Sequence, residues 1–398
     1  MEAEELLNKL ALKAQTSRYF VNPFFEDSKL AAKYVTEEWI LQQIKLLAEQ
    51  ISQRKISSDE YQKGPYVGPS GIAYSLLRVT QMNKNLDFTK QTKNILETQS
   101  KISSTSSNKS KYLTGRAGFY LIKFLANLID VDNFKRKIGK LLEYVIYETE
   151  DNEILNGRAG FLAGFLMLRN EDREKIISDD QIRQVLNAVG GRTYSTEHDS
   201  DANLMYEWHE KEYLGAAHGL AGILQIFLSY WNFLDSKAKK DVKQTVEWFL
   251  GIQLKDGNFP SNTNKIGKEA ELVHWCHGAT GVLQMLIAAN LVFDEEKYLE
   301  TAKRCPGICH GIAGSGYGLL LLYRFTKEEE WLNKAKTFGF IMLSLSFKVR
   351  DFLVIVWNSP PPFFPLYFFL VFSHFMANYI SFERALRAES NDIKINEI

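Results

Sequence analysis

The sequence predicts an all-α fold, an α/α toroid of helical hairpins, on three observations. A Gly-x-x-Gly element followed by an apolar run occurs six times in the 398 residues. Amphipathic stretches whose apolar residues recur at helical spacing lie between these runs. Strand signals are weak along the chain. Because the elements recur at intervals of tens of residues, they indicate a repeat architecture rather than unrelated turns.

The apolar runs are predicted to form an inner layer of helices. A helix that is apolar on all sides is buried, whereas an amphipathic helix covers it. Glycine at each turn lets helix ends converge, because a side chain would obstruct their approach, and it permits unusual backbone angles. Each inner helix is therefore expected to start at one of the six elements, which begin at Gly68, Gly115, Gly157, Gly219, Gly278 and Gly311.

The amphipathic stretches are predicted to form an outer layer. Three of them begin at Thr36 (TEEWILQQIKLLAEQISQR), Asn133 (NFKRKIGKLLEYVIYE) and Ser236 (SKAKKDVKQTVEWFLGIQ). The interval between Gly278 and Gly311 is the shortest in the series, and it barely holds two helices of about 11 to 12 residues with their turns. We therefore expect the hairpin in that interval to be shortened.

Composition and charge indicate which kinds of binding partner and which cellular compartment to expect. Lys and Arg total 48, as do Asp and Glu, so nothing predicts electrostatic capture of nucleic acid. A hydrophobic content of 45% is ordinary for a globular protein with a sizeable core. Three cysteines cannot all be paired, which favours a reducing compartment. Since the N-terminus, MEAEELLNKLALK, is acidic and unlike a signal peptide, we expect a cytoplasmic protein.

The C-terminal region breaks this pattern. Residues 352–382 contain no Asp, Glu, Lys or Arg, and by length they could cross a bilayer. Prolines at positions 360–362 and 365 would interrupt such a helix. We therefore divide the chain into a toroid, residues 1–343, and a divergent apolar tail, residues 344–398. Peripheral membrane association through the tail is an alternative to a freely soluble protein.

Two Cys-His-Gly triplets stand out in a chain with so few cysteines. Cys276 and the Cys309–His310 pair each lie just before the first glycine of an inner helix, and those turns converge in a ring. Two thiolates and one imidazole would leave a fourth position open, as in a catalytic zinc site. The alternative is that the cysteines are small buried apolar residues, since their spacing matches no standard zinc signature.

Four stretches closely resemble the eukaryotic LanC-like family, relatives of the bacterial lanthionine synthetase cyclases: HWCHGATG, PGICHGIAGSGYGLLLLYRFT, EYLGAAHGLAGILQIFLSY and GRAGFLAGFL. The resemblance covers approximately residues 14 to 343. It implies an α/α toroid of seven hairpins around a zinc ion, with Cys276, Cys309 and His310 as the ligands.

The resemblance also implies a reaction: addition of a thiol to a dehydroalanine or dehydrobutyrine residue of a polypeptide. The thiol is glutathione in the eukaryotic members. His218 matches the acid/base histidine of the family, and Glu153 matches a carboxylate that could orient it. Without the resemblance, His218 is a structural, partly buried histidine and Glu153 a solvated acid at a helix end.

Other positions are assigned by the same resemblance. Arg18 matches an arginine near the glutathione site, with a surface arginine as the alternative. His277 could contact substrate beside the zinc ligand Cys276, whereas His274 is expected to be structural. Cys305 is expected to be a neighbour of Cys309 rather than a ligand.

The chain departs from the family at two places. A lysine-bearing turn associated with glutathione binding is missing between Cys305 and Pro306, where RCPGICHG runs on directly. No seventh Gly-x-x-Gly unit follows residue 343. Whether the chain is an active enzyme is therefore left open, and the alternative is a non-catalytic scaffold that binds zinc and glutathione.

Overall fold

The computed structural model describes residues 24, 26–66, 68–102, 110–148, 151–168, 170–190, 202–268, 273–305 and 312–348. Within these ranges the chain is helical and forms no strand, only two isolated bridges. Its α-helices are α1 (Lys29–Ala32), α2 (Glu37–Ser52), α3 (Pro69–Met82), α4 (Thr89–Lys101), α5 (Arg116–Leu125), α6 (Val131–Tyr147), α7 (Arg158–Phe165), α8 (Asn170–Ile176), α9 (Asp179–Gly190), α10 (Leu220–Ser229), α11 (Ser236–Gly251), α12 (Ala279–Phe293), α13 (Glu296–Lys303), α14 (Ile312–Thr326) and α15 (Glu329–Lys348).

The predicted inner helices are confirmed as helices: α3, α5, α7, α10, α12 and α14 each start within one residue of the expected glycine. Consecutive inner helices contact one another along the chain. Every residue from Leu220 to Leu224 of α10 is buried, as is every residue from Ala279 to Leu283 of α12. The core of the molecule therefore runs through this inner layer.

Glycine starts these helices for reasons of space more than of backbone conformation. Gly278 alone among the five described N-cap glycines has a positive φ, 112°. The second glycine of the element is also confined: a Cβ on Gly160 would lie 1.8 Å from the carbonyl oxygen of Ile154. A side chain there would push the helix away from the loop that precedes it.

The outer helices follow the amphipathic stretches. Helix α6 buries Phe134, Ile138, Leu142 and Val145, which share one helix face. Asp130 caps the N-terminus of α6, and its side chain accepts a hydrogen bond from the backbone N–H of Asn133. Helix α13, in the shortest hairpin, has only 8 residues, as the spacing predicted.

One inner helix differs from the expectation that all of them are apolar on every side. Helix α5 carries Arg116, Tyr120 and Lys123 at a spacing of four and then three residues, so they share a helix face. All three side chains are partly exposed. The physical reason is a cavity that this face lines together with residues of α4 and α6, so the three side chains are not fully covered.

The loops that precede consecutive inner helices are hydrogen-bonded to one another, which brings the helix N-termini to one end of the layer. From the loop before α3 to the loop before α12, each loop contacts the next along the chain. These bonds join Tyr66 N to Leu113 O (2.7 Å), Thr114 Oγ1 to Leu155 O (3.2 Å), Ile154 N to Ala217 O (3.1 Å) and Ala216 N to Trp275 O (3.2 Å).

The first and last described helices are neighbours. The Thr337 hydroxyl of α15 donates to the carbonyl oxygen of Ser28 at 3.0 Å. Phe340 packs its ring against those of Phe24, Tyr34 and Trp39, with centroids 5.5 to 6.0 Å apart. No helix in the described ranges is long and apolar enough to cross a membrane, and the apolar tail predicted at 352–382 lies outside those ranges.

Candidate active site

Predicted site residues occupy the loops before α7, α10 and α12, which lie against one another. Those loops carry Glu153, His218, and Cys276 with His277, respectively. The loop before α10 is the middle one, and it fits only because Gly215 lacks a side chain. A Cβ at that position would lie 2.0 Å from the carbonyl oxygen of Cys276. The close approach therefore depends on glycine.

Glu153 and His218 form a hydrogen-bonded pair. The Nδ1 atom of His218 lies 2.8 Å from Oε2 of Glu153. The carboxylate is 2% exposed and also accepts the backbone N–H groups of Leu155, at 2.9 Å, and Asn156, at 2.5 Å. Burial excludes the alternative of a solvated acid at a helix end.

These contacts fix which nitrogen of His218 is free. Because both oxygens of Glu153 already accept backbone N–H groups, the carboxylate acts as an acceptor and Nδ1 of His218 carries the hydrogen. The Nε2 atom is left as the nitrogen that can exchange a proton with a bound molecule. The imidazole is 17% exposed, so such a molecule can reach it.

An aromatic ring holds the His218 imidazole on one face. Trp208 stacks on it with ring centroids 3.8 Å apart and an interplanar angle of 8°. A tight turn places this ring: Trp208 N–H donates to Lys211 O at 2.9 Å, and His209 and Glu210 have positive φ angles of 49° and 59°. With Glu153 at Nδ1 and Trp208 on the face, the imidazole has little rotational freedom.

His277 lies next to this pair. Its ring is 5.3 Å from that of Tyr213, which is itself 6.3 Å from His218. Burial lowers the pKa of His277, and the neighbouring His218 lowers it further. Its Nδ1 atom is buried and has no hydrogen-bond partner among the described residues. This atom can therefore form a hydrogen bond with an incoming group.

Cys276 presents a half-buried thiol on the third loop. Burial raises its pKa, and the backbone N–H groups of Cys276 and His277 oppose that rise. The sulfur lies 3.7 Å from Nδ1 of His274. A thiol in this environment is neutral on its own, and a cation beside it would favour the thiolate.

The predicted zinc donors are only partly within the described structure. Cys276 fits the role by donor chemistry and by its place beside the His218 loop. Cys309 and His310 lie outside the described residues, as does Arg18. Within the described ranges no group of three His, Cys, Asp or Glu side chains could hold a metal ion. The three-ligand zinc site stays a prediction.

Cys305 has a structural environment. It is 7% exposed, its thiol donates to Thr301 O at 3.7 Å, and burial raises its pKa to about 12. Cys309 lies outside the described residues, so the expected position of Cys305 beside it stays a prediction.

Two aromatic residues of the site were not among the sequence candidates. Trp208 and Tyr213 come from the stretch EWHEKEYLGAAHG, where the aromatic residues carry no periodic signal. Their role becomes visible only when the turn at His209–Glu210 folds Trp208 back over His218. The nearest sequence cue is their position a few residues before the histidine.

Comparisons with known proteins agree with this architecture. The family model for lanthionine synthetase C-like proteins matches residues 59–349. Glutathione S-transferase LANCL1 of Danio rerio is 33% identical over 207 residues, which are 47% of this chain and 50% of that protein. The chain thus aligns with about half the length of this relative. The solved structure of nisin cyclase has a TM-score of 0.57 at 16% identity, over 85% of this chain and 98% of its own. This likeness confirms the α/α toroid.

Proposed function

Since this chain belongs to the lanthionine synthetase C-like family, we propose that it forms a carbon–sulfur bond by adding the thiol of glutathione to a dehydroalanine or dehydrobutyrine residue of a polypeptide. The names of its relatives support thiol transfer in general: one is a glutathione S-transferase and the other a cyclase of nisin. The single observation that carries the proposal is the His218–Glu153 hydrogen bond of 2.8 Å.

The reaction needs a thiolate and a proton donor. The sulfur attacks Cβ of the dehydroamino acid, the new C–S bond forms, and the electron pair of the C=C bond moves toward the carbonyl group to give an enolate. Protonation at Cα completes the addition, so the thiol hydrogen is balanced by the new Cα–H. We assign the delivery of this proton to Nε2 of His218.

Glu153 and Trp208 would keep His218 in place for this transfer. Glu153 holds the hydrogen on Nδ1 and stabilises the positive charge that the ring carries before it gives up the proton. Trp208 holds the plane of the ring. General acid catalysis by a positioned side chain contributes about 10²- to 10⁴-fold to a rate.

The remaining roles concern binding. Zn²⁺ would be held by Cys276, Cys309 and His310. When bound, the cation would lower the pKa of the glutathione thiol. The unpartnered Nδ1 of His277 supports a role in contacting substrate. Arg18 is proposed as a contact to glutathione.

Adduct formation on a dehydroalanine peptide, followed by mass spectrometry, tests the proposal. We expect the parent protein to add glutathione and His218→Asn to lose activity by on the order of 10²-fold or more. His209→Asn is the matched control, because His209 is exposed in the adjacent turn and Asn tolerates its positive φ. Equal rates in the parent and His218→Asn would contradict the assignment.

Metal content tests the predicted ligand set, which the enzyme and the scaffold share, and adduct formation separates these two functions. We expect about one zinc per chain in the parent and a loss in Cys276→Ala, because structural and catalytic zinc sites both need their thiolates. A parent protein that binds zinc and glutathione but forms no adduct would favour the scaffold. The absence of zinc from the parent would contradict the predicted ligand set.

A further inference from the structure

A cleft of about 350 Å³ opens on the outer surface, away from the His218 site. Its floor is the face of the inner helix α5 that carries charged residues, and its walls are the end of α4 and the first half of α6. The volume falls in the range of small-ligand sites. The lining residues are Ser100, Arg116, Phe119, Tyr120, Lys123, Ile129, Asn133, Arg136 and Lys137.

The cleft is strongly basic. Two cationic side chains come from α5 and two from α6, and none of the nine lining residues is acidic. We call this set the basic cleft, with the cations Arg116, Lys123, Arg136 and Lys137. Cations on both floor and wall surround the same small volume.

The aromatic residues organise these cations. Arg116 and Lys137 lie over the ring of Tyr120, at 5.7 and 5.6 Å from its centroid, and Lys123 lies 5.7 Å from that of Phe119. Cation–π contacts hold a charge in place without neutralising it. The charges therefore remain available to an anion.

Protein carboxylates offset only part of the positive charge of the cleft. Among the described residues, Arg116, Arg136 and Lys137 form no ion pair within 4.0 Å. Burial lowers the pKa of Lys123, and repulsion from Lys137 adds to this, while only Glu97 opposes it. Glu97 itself lies 3.8 Å from Lys93. Like charges so placed cost stability, and a bound anion would relieve that cost.

Comparison of Arg116 with Arg158, the equivalent residue of another repeat, shows that Arg116 does not form the structural hydrogen bonds that Arg158 forms. Arg158 holds the equivalent first position of α7, is 2% exposed, and donates to Val145 O and to Asn152 Oδ1, both at 2.9 Å. That arginine is a structural link. Arg116 makes no such bond among the described residues and points its charge into the cleft region instead.

The donor groups suit phosphate. Guanidinium groups bind phosphate oxygens in bidentate fashion, and ammonium groups bind them as point charges. The Ser100 hydroxyl donates to Leu96 O at 2.7 Å and accepts from Lys123 Nζ at 2.9 Å, so it positions that ammonium group rather than donating to a ligand. Asn133 accepts from Arg136 at 3.2 Å through its carbonyl, which leaves its amide N–H groups as donors. Four cations exceed what a single phosphate group requires.

We propose that the basic cleft is a binding site for a small anion that carries at least two phosphate groups. The ring of Tyr120 already has two cations over it, so recognition rests on charge and hydrogen bonding rather than on stacking with the ligand. The site is separate from the His218 pair and does not depend on the proposed reaction.

Calorimetric titration of the full chain with pyrophosphate tests the proposal. We expect saturable binding that weakens as salt is raised, with orthophosphate binding at least about tenfold less tightly because it makes fewer charge-assisted hydrogen bonds. The double variant Arg136→Gln/Lys137→Gln should bind pyrophosphate about 10- to 100-fold less tightly.

The control is Lys135→Gln/Lys140→Gln, which removes the same charge from exposed positions of α6 that do not line the cleft. Its affinity should equal that of the parent, and neither double variant should melt below the parent, because removing like charges relieves repulsion. Absence of saturable pyrophosphate binding would overturn the proposal. So would equal affinity in the two double variants.

A second arm identifies the source of the phosphate groups. Vesicles of phosphatidylcholine, with and without a bisphosphorylated phosphatidylinositol, are compared with soluble inositol bisphosphate. Binding of pyrophosphate and the soluble compound alone supports a free metabolite as ligand. Additional binding to the phosphorylated vesicles, lost in Arg136→Gln/Lys137→Gln, assigns the same chemistry to a lipid headgroup.

Discussion

Glu153 shows how single residues determine what the site can do. Its two oxygens accept three donors: the N–H groups of Leu155 and Asn156 and Nδ1 of His218. All three contacts are possible only for a carboxylate, because each needs an acceptor. The residue therefore couples the local turn before α7 to the orientation of a histidine 65 residues later.

Replacement of Glu153 by Gln should disturb both the turn before α7 and the orientation of His218. A side-chain amide turns one of the acceptors into a donor, so one of three N–H groups loses its partner. We expect a stability loss of about 1–3 kcal/mol, a change in the His218 tautomer, and a rate of adduct formation lower by on the order of 10²-fold. Imidazole ¹⁵N shifts, chemical denaturation and kinetics measure the three effects.

Glu210→Gln is the matched control, since Glu210 is exposed in the turn beside Trp208. It should leave tautomer, stability and rate unchanged. A Glu153→Gln protein with the parent's tautomer and rate would show that Glu153 only supports the turn.

Inner helices and their loops act as units, because the second glycine of four elements lets the helix lie directly on a loop, at Gly118, Gly160, Gly222 and Gly281. At Gly222 in α10, a Cβ would lie 2.0 Å from Ala216 O and 2.7 Å from Cγ1 of Ile154. The first contact is with the backbone of the loop that carries His218. The second is with the residue next to Glu153.

Gly222→Ala should therefore damage the site without touching a proposed catalytic group. Overpacking of this kind costs about 1–3 kcal/mol, and the displaced loop should weaken the His218–Glu153 contact. Denaturant unfolding and ¹⁵N shifts of His218 measure the two effects.

Gly139→Ala provides the opposite case in α6. Nothing lies within 4 Å of a Cβ at that position, so alanine should stabilise the exposed helix by about 0.5–1 kcal/mol. If Gly222→Ala also stabilised the protein, the close approach of α10 to its loop would be disproved.

Over the whole molecule, the decisive contact joins residues from the two ends of the described chain. No seventh Gly-x-x-Gly unit follows residue 343. Within the described residues α15 lies against α1, and Phe340 packs between Phe24, Tyr34 and Trp39. The last described helix is thus packed directly against the N-terminal helices.

Phe340→Ala should loosen this junction. Phe340 is 7% exposed, and truncation of a buried phenylalanine costs about 3–5 kcal/mol. Hydrogen exchange should show the amides of α1 and the start of α2 losing protection before those of α10. Tyr147→Ala, at a position 74% exposed, should change stability by less than about 0.5 kcal/mol. Unchanged protection in α1 would refute the junction.

The two helix layers of this fold could be predicted from the sequence, because the signals that indicate them are local. Helical period, the six glycine pairs and the short interval after Gly278 specify where inner and outer helices begin. Helix α5 is the exception, because an apolar run predicts burial on all sides, whereas Arg116, Tyr120 and Lys123 share a partly exposed face. Whether that face is covered depends on where α4 and α6 pack.

Residue types and their spacing specify the helical hairpins and their glycine-started inner helices, and the resemblance to the LanC-like family indicates His218 and Glu153 as candidates. Packing in three dimensions places Glu153, buried, against Nδ1 of His218, stacks Trp208 on the ring, and brings four cations to one cleft. These contacts join residues distant in sequence, and their distances are set by packing between helices, which no local pattern records.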